Sequence, residues 1–348
     1  VQHHRIKQTI TILMPALLFC AFMFTSAKAQ DSTAAASPPD SAWIERFDDQ
    51  IVIKLAALNT AEALVAEGDN FKNVLEPNPN ELFRAYFNYR FISFYVNYIP
   101  HFLPGNNDDE EKGRTKGIGL GTALNFRQWF ADIYYNYNKG YYLQNTKDYR
   151  PNWQPGDPYL QIPDMVVKSL EGSIGYNTNP HLSLQAATTQ TERQLKSAGS
   201  FIPRISYRYM IIDNRTPMAA SSQKSNHFHA LLGAGYQHTF VVKKALYFNG
   251  SFTPSFGYTF TKLRTRIESE QQTDHMQGPI YQWDGRIGMG YNHHRYFLGA
   301  YITATSSTAA QGLSSALIAD GHVFFQLFAG IRFTAPKFLR KNYDKIFH

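Results

Sequence analysis

The sequence predicts an all-β chain: a transmembrane antiparallel β-barrel of about twelve strands, with twelve to fourteen as the range, behind a cleaved signal peptide. Three observations carry this. Apolar and polar side chains alternate along most of residues 51–334, and period two is what a strand facing two environments requires. The alternating stretches run to about ten residues or more, beyond the five or six usual in globular sheets and near the roughly nine to eleven of a tilted span. Aromatic residues make up 15% of the 348 while charged ones make up only 18%, which excludes disorder and suits barrel walls with interfacial girdles. A mean hydropathy of −0.36 excludes a bundle of apolar helices.

Residues 1–29 read as the signal peptide. Arg5 and Lys7 precede an uncharged run from Thr9 to Ser26, and Ala27-Lys28-Ala29 supplies the small residues of a cleavage site. The single cysteine, Cys20, lies inside that run behind the bulky Leu18-Phe19, so lipidation is not expected. The mature chain then has no disulfide and no thiolate metal ligand. Cleavage removes three basic residues and no acidic one from a formal charge of +7, and the remaining surplus is too mild to argue for nucleic acid. Residues 30–50, opening QDSTAAASPPDSA, form a polar lead-in to the barrel at 51–334, and 335–348 is a short basic C-terminal tail.

Within the barrel the clearest strand is 246–261. Leu246, Phe248, Phe252, Phe256, Tyr258 and Phe260 share one face, while Asn249, Ser251, Thr253, Ser255 and Thr259 share the other. Counting from Leu82, strands are expected near 82–90, 91–99, 117–127, 130–140, 165–177, 181–191, 200–212, 227–242, 245–262, 279–291, 295–305 and 321–334. Short turns should face the periplasm and long loops the outside. That rule holds for the second half but fails for the first unless Ile51–Leu58 is also a strand, which would make thirteen. One of these assignments must therefore be wrong, and twelve or fourteen strands are both open.

The string Glu192-Arg193-Gln194-Leu195-Lys196-Ser197-Ala198-Gly199-Ser200 resembles a family of unknown function, domain-of-unknown-function family 4421, from Gram-negative bacteria. Trp43-Ile44-Glu45-Arg46-Phe47, Ile51-Val52-Ile53-Lys54-Leu55, Gly140-Tyr141-Tyr142-Leu143, Pro163-Asp164-Met165 and the stretch from Tyr236 to Phe248 agree with it. The resemblance spans nearly the whole mature chain. It implies secretion and an outer-membrane location, and it supplies no activity. Its most specific loop residues here are Glu192, Lys196, Ser197, Gly199 and Ser200.

On the faces assigned inward, the ionisable residues are Arg84, Arg90, Arg127, Asp132, Glu171, Arg204, Arg208, Asp284, Arg286 and Arg332. Rings of arginine can act as an anion filter; the competing reading is an Arg–carboxylate network that fills a narrow lumen. Lys196 and Ser197 could pair as base and nucleophile, but no catalytic relay is readable, so no catalytic residue is assigned. His227 and His229 face one way, yet a metal site needs three or four ligands, and neither a metal nor a cofactor is expected. Asp108-Asp109-Glu110-Glu111 reads as a solvated loop tip. The aromatic loop 141–164 could stack on a surface glycan or pack across the barrel mouth. The expected function is a narrow channel or binding barrel for a small solute, anions favoured. Its rivals are a plugged surface-interaction barrel and a lipid hydrolase. The expected partner in every case is outer-membrane lipid.

Overall fold

The computed structural model describes residues 42–68, 71–78, 81–100, 102, 106–216, 221–267, 270–309 and 318–347. The signal-peptide assignment and most of the lead-in lie outside the described residues.

Twelve strands close an antiparallel barrel. In order round the wall they are β2 (Gln50–Gly68), β4 (Glu81–Tyr89), β5 (Ile92–Tyr98), β6 (Lys116–Phe126), β7 (Trp129–Leu143), β8 (Leu160–Tyr176), β10 (Ala198–Asp213), β11 (Ser221–Val242), β12 (Leu246–Ile267), β13 (Glu270–Asn292), β14 (Tyr296–Ala309) and β15 (Ile318–Thr334). β15 pairs back onto β2 from Ile318↔Val65 to Thr334↔Gln50, which closes the ring. Three short strands lie off this circuit. β1 (Ile44–Arg46) pairs with β9 (Glu192–Gln194), and β3 (Phe71–Glu76) bridges β2 and β7 above the shorter strands between them.

The side chains are sorted as in a membrane barrel and inversely to a soluble sandwich. Phe252, Phe256 and Ile287 are 53%, 67% and 74% exposed, whereas Ser255 and Thr259 are wholly buried. With water outside, leaving that many large apolar side chains exposed would cost roughly 1.5–3 kcal/mol each; lipid removes the cost. Tight turns at Arg90-Phe91, Arg127-Gln128, Lys243-Lys244 and His293-His294 share one end with Gln50 and Thr334. This is the periplasmic end by the short-turn rule. Lys243 and Lys244 both hold positive φ, 50° and 58°, matching the twist that a two-residue hairpin demands.

Two strand expectations are corrected. Ile51–Leu58 belongs to a strand, β2, of 19 residues. Residues 181–191 are not a strand. There the hydroxyls bond locally instead of leaving the backbone to a ladder: Ser183 Oγ accepts from Ala186 N, and Thr188 Oγ1 donates to Leu184 O. Gln190 takes a left-handed φ of 55°. Adding the one and removing the other restores twelve and repairs the turn rule.

The wall is uneven in height. β11, β12 and β13 have 22, 22 and 23 residues, against 9, 7 and 11 for β4, β5 and β6. At about 3.4 Å per residue and a tilt near 40°, the tall side rises roughly 55 Å, about twice an apolar band of ~25 Å. The tail forms a helix, Lys337–Phe347. Its Leu339 and Tyr343 pack under the rim against Ile51, Tyr89 and Ala335, and Asp344 pairs with Arg90 at 2.8 Å.

Candidate functional site

Between β8 and β10 the chain makes its longest periplasmic-side connection, residues 177–197, and this segment turns into the lumen. Asn177 and Asn179 start the turn: their side-chain oxygens accept from Asn179 N at 3.3 Å and His181 N at 3.1 Å. Beyond it, five consecutive carbonyls are held by side chains from separate parts of the wall. Asn292 Nδ2 donates to Ala186 O at 3.5 Å and Arg286 Nη2 to Ala187 O at 3.1 Å, both from β13. Lys54 Nζ from β2 donates to Thr188 O at 2.5 Å, and Asn88 Nδ2 from β4 to Thr189 O at 2.9 Å. Arg332 Nε from β15 donates to Gln190 O at 2.8 Å. The segment is a plug stitched to the barrel by donors from four strands.

The plug is clasped from below. β1 pairs with β9, so Glu45 faces Arg193 and Arg46 faces Glu192. Arg193 binds Glu45, and Arg46 binds Glu192 at 3.3 Å, while Ser183 Oγ donates to the same carboxylate at 2.5 Å. Burial nonetheless pushes the Glu192 carboxyl above its ordinary pKa, against the Ser183 hydrogen bond and Arg46. Trp43 stacks on His181 with 4.6 Å between ring centroids, and Lys196 Nζ lies 5.1 Å from the Trp43 ring. Ser197 Oγ accepts from Val241 N at 2.9 Å, and Ser200 Oγ accepts from Asn179 N at 3.0 Å. Gly199 lies hard against the Tyr236 hydroxyl, where a Cβ would collide. The two strings singled out by resemblance, 43–47 and 192–200, are thus the two halves of one clasp. Lys196 and Ser197 point to separate partners and do not form a base–nucleophile pair.

Above the plug the lumen holds a chamber of about 590 Å³. Arg84, Asp132, Glu171, Arg204, Arg208, Asp284 and Arg286 all line it. Arg204 pairs with Asp284, and Arg208 with Glu171 at 3.0 Å. Asp132 accepts from Ser173 Oγ at 2.6 Å. The remaining cations are different. Lys54, Arg84 and Arg286 have no carboxylate partner among the described residues. Lys54 Nζ sits 3.8 Å over Tyr86, the Arg84 guanidinium 4.2 Å over Tyr95, and that of Arg286 3.8 Å over Tyr301. Arg286 Nε and Gln326 Nε2 are buried with no acceptor, although Gln326 Oε1 takes the Tyr301 hydroxyl at 2.6 Å and that of Tyr86 at 3.3 Å.

Two inward assignments need correction, and a third needs a depth. Arg127 is exposed in a hairpin turn with a φ of 41°, and Arg90 lies in another turn, bound to Asp344. Alternation extends through a turn in sequence but not in space. Arg332 faces inward but below the chamber, with its guanidinium over Phe47 at 4.1 Å. Lys54 lies on a strand outside the twelve expected from the sequence, although the Ile51-Val52-Ile53-Lys54-Leu55 alternation carries the signal.

Elsewhere, His227 is held by Thr261 at 3.0 Å and Ser225 at 2.9 Å, and no cluster of three metal-ligating side chains occurs among the described residues. The exposed His294 reaches Glu45 of the clasp at 3.4 Å. The acidic run 108–111 enters a short helix, with Lys112 bound to Asp108 at 2.7 Å. In the aromatic loop, Tyr159 packs between Tyr142 and Trp153 at 4.9 and 4.7 Å. Towards the outside, Leu64, Leu75, Tyr141, Leu143, Met165, Val167, Met210 and Ile212 form an inward-facing apolar cluster.

The sequence profile described as Domain of unknown function (DUF4421) matches residues 38–333. The chain belongs to that family. No curated protein matches the sequence. Among solved structures it is similar to the outer membrane protease OmpT from Escherichia coli, with 8% identity, a TM-score of 0.39, and coverage of 84% of this chain and 98% of that one. It is also similar to the COG4313 outer membrane channel from Pseudomonas putida F1, with 11% identity, a TM-score of 0.37, and coverage of 85% and 99%. No activity passes from either to this chain. Its own closed wall, lipid-facing exterior and short-turn end are those of an outer-membrane β-barrel.

Proposed function

We propose that this family member is a closed binding barrel: it takes a small anionic solute into the lumenal chamber and does not conduct while its plug is seated. One observation carries the reading. Lys54 and Arg286 hold the plug and Arg84 shares the Tyr86 ring with Lys54, with no carboxylate partner for the three among the described residues and two buried donors, Arg286 Nε and Gln326 Nε2, unmet beside them. Buried donors without acceptors cost about 1–3 kcal/mol each, and a carboxylate or phosphate supplies both the charge and the acceptors.

The test is calorimetric titration of the refolded barrel with inorganic phosphate and with a small dicarboxylate. Binding of at least one anion is expected, weakened at least tenfold in Arg84→Gln and in Arg286→Gln. Lack of any anion binding, or binding indifferent to both substitutions, would overturn the reading.

A second reading has an observation of its own. β11–β13 rise far beyond the apolar band, which supports a barrel that meets partners at the cell surface. Steady binding of anions in the lumen and contact at the tall wall are compatible.

A further inference from the structure

The outward face of the tall wall changes character abruptly near its extracellular end. Phe228 and Phe260 are a directly opposed pair on β11 and β12, stacked 6.4 Å apart and 40% and 45% exposed. With Tyr258 beside them they form an aromatic rim such as marks the membrane–water boundary. Two residues further out, Asn226 opposes Lys262; two further still, Lys224 opposes Arg264; then Ser222 opposes Arg266. At about 3.4 Å per residue along strands tilted near 40°, these cations stand roughly 5 to 16 Å above the rim, on the same face.

Their charge is not balanced. Among the described residues, Asp213 on β10 is the acid directly opposite Lys224. It is already shared, taking Arg215 at 2.8 Å and Arg266 at 2.8 Å. Asp164 nearby is bound to Lys139 at 2.9 Å. Asp274 opposes the buried Leu263 and so lies on the inner face. Lys224, Lys262 and Arg264 have no ion-pair partner among the described residues. Burial, with the neighbouring Arg264, Arg266 and Arg215, presses the Lys224 ammonium below its usual pKa despite Asp213. Like charges set directly opposite one another across a ladder are destabilising, so this arrangement gains from an external anion.

We propose that this patch binds the phosphate groups of phosphorylated glycolipid in the outer leaflet, with Lys224, Lys262 and Arg264 as its free donors and Arg215 and Arg266 at its edge. Height selects a lipid headgroup over a soluble phosphate: the patch sits where headgroup phosphates lie when acyl chains pack on Phe228, Phe260 and Tyr258. Basic clusters at this level attract anionic lipid by roughly 1 kcal/mol per side chain, and arginine adds forked bonds to phosphate oxygens.

The proposal rests on the membrane-barrel fold and its orientation, not on the lumenal anion. Its test uses the full refolded chain in phosphatidylethanolamine vesicles containing lipid A or its dephosphorylated form, with lipid retention read by native mass spectrometry. Intact protein should retain lipid A over the dephosphorylated form by at least tenfold. The triple variant Lys224→Gln, Lys262→Gln, Arg264→Gln should lose that preference while keeping heat-modifiable migration and lumenal anion binding. A control triple at Lys337, Lys341 and Lys345 should keep the preference. Equal retention of both lipids by intact protein, an unchanged preference in the triple variant, or displacement of lipid A by equimolar inorganic phosphate would overturn it. A chain that never shows heat-modifiable migration would instead indict the barrel itself.

Discussion

The two ends of the lumen are packed with opposite kinds of chemistry. Below, the plug offers carbonyls 186–190 to donors from β2, β4, β13 and β15, and its clasp adds two ion pairs. Above, Leu64, Leu143, Met165, Met210 and their neighbours close one side with hydrocarbon. The plug's donors Lys54, Asn88, Asn292 and Arg332 are buried, so their bonds are given up only where water follows them in; each exchange then costs only about 0.5–1.5 kcal/mol, and a polar seal can open and reseat. An apolar cluster opens only by exposing its whole surface. Movement is therefore expected at the periplasmic end and stability at the extracellular end.

Four changes would break or sharpen that contrast. The largest effect should come from replacing residues 184–191 with a short Gly-Ser linker: single-channel recording should then show steady, anion-preferring current, and persistent silence would mean that the upper cluster seals the lumen alone. Next, Leu143→Ala or Met210→Ala should lower unfolding stability by about 2–5 kcal/mol without raising conductance, as denaturant titration and the same recording would show. Arg332→Ala should be milder overall, about 2–3 kcal/mol from stranded acceptors, but should produce intermittent openings that the upper-cluster variants lack.

The smallest effect concerns pH. The closed clasp holds the Glu192 proton more tightly than a freely solvated carboxyl would. Protonation therefore favours closure: the contribution is complete below the ordinary carboxylate range near 4.3 and is lost as pH rises through the raised value. Opening of Arg332→Ala should become more frequent over that rise, and Glu192→Gln in the same background should flatten the dependence. An unchanged slope would remove Glu192 from the clasp's energetics.

Much of the barrel was legible because lipid and lumen impose opposite demands on alternate residues, as in β12 and β15. Alternation faded where both faces carry small residues. Ala56, Ala57, Ala61 and Ala63 interrupt the pattern in β2, so period two marks that strand only weakly. Residues 181–191 erred the other way: Leu182 and Leu184 alternate with Ser183 and Gln185, yet hydroxyl-to-backbone bonds fold the segment into a plug. Period two also reports a face without a depth. It put Arg84, Arg286 and Arg332 on one list, but only register and the plug's position separate two chamber cations from the one beneath. The pairing of 43–47 with 192–200 joins strings about 150 residues apart, and neither string announces its partner.

On this reading the wall spans a membrane around a lumen sealed by its own segment 177–197. Planar-bilayer recording of the intact refolded chain tests it most directly. Insertion with no steady current is the predicted result; a stable ohmic current from the unmodified protein would contradict it.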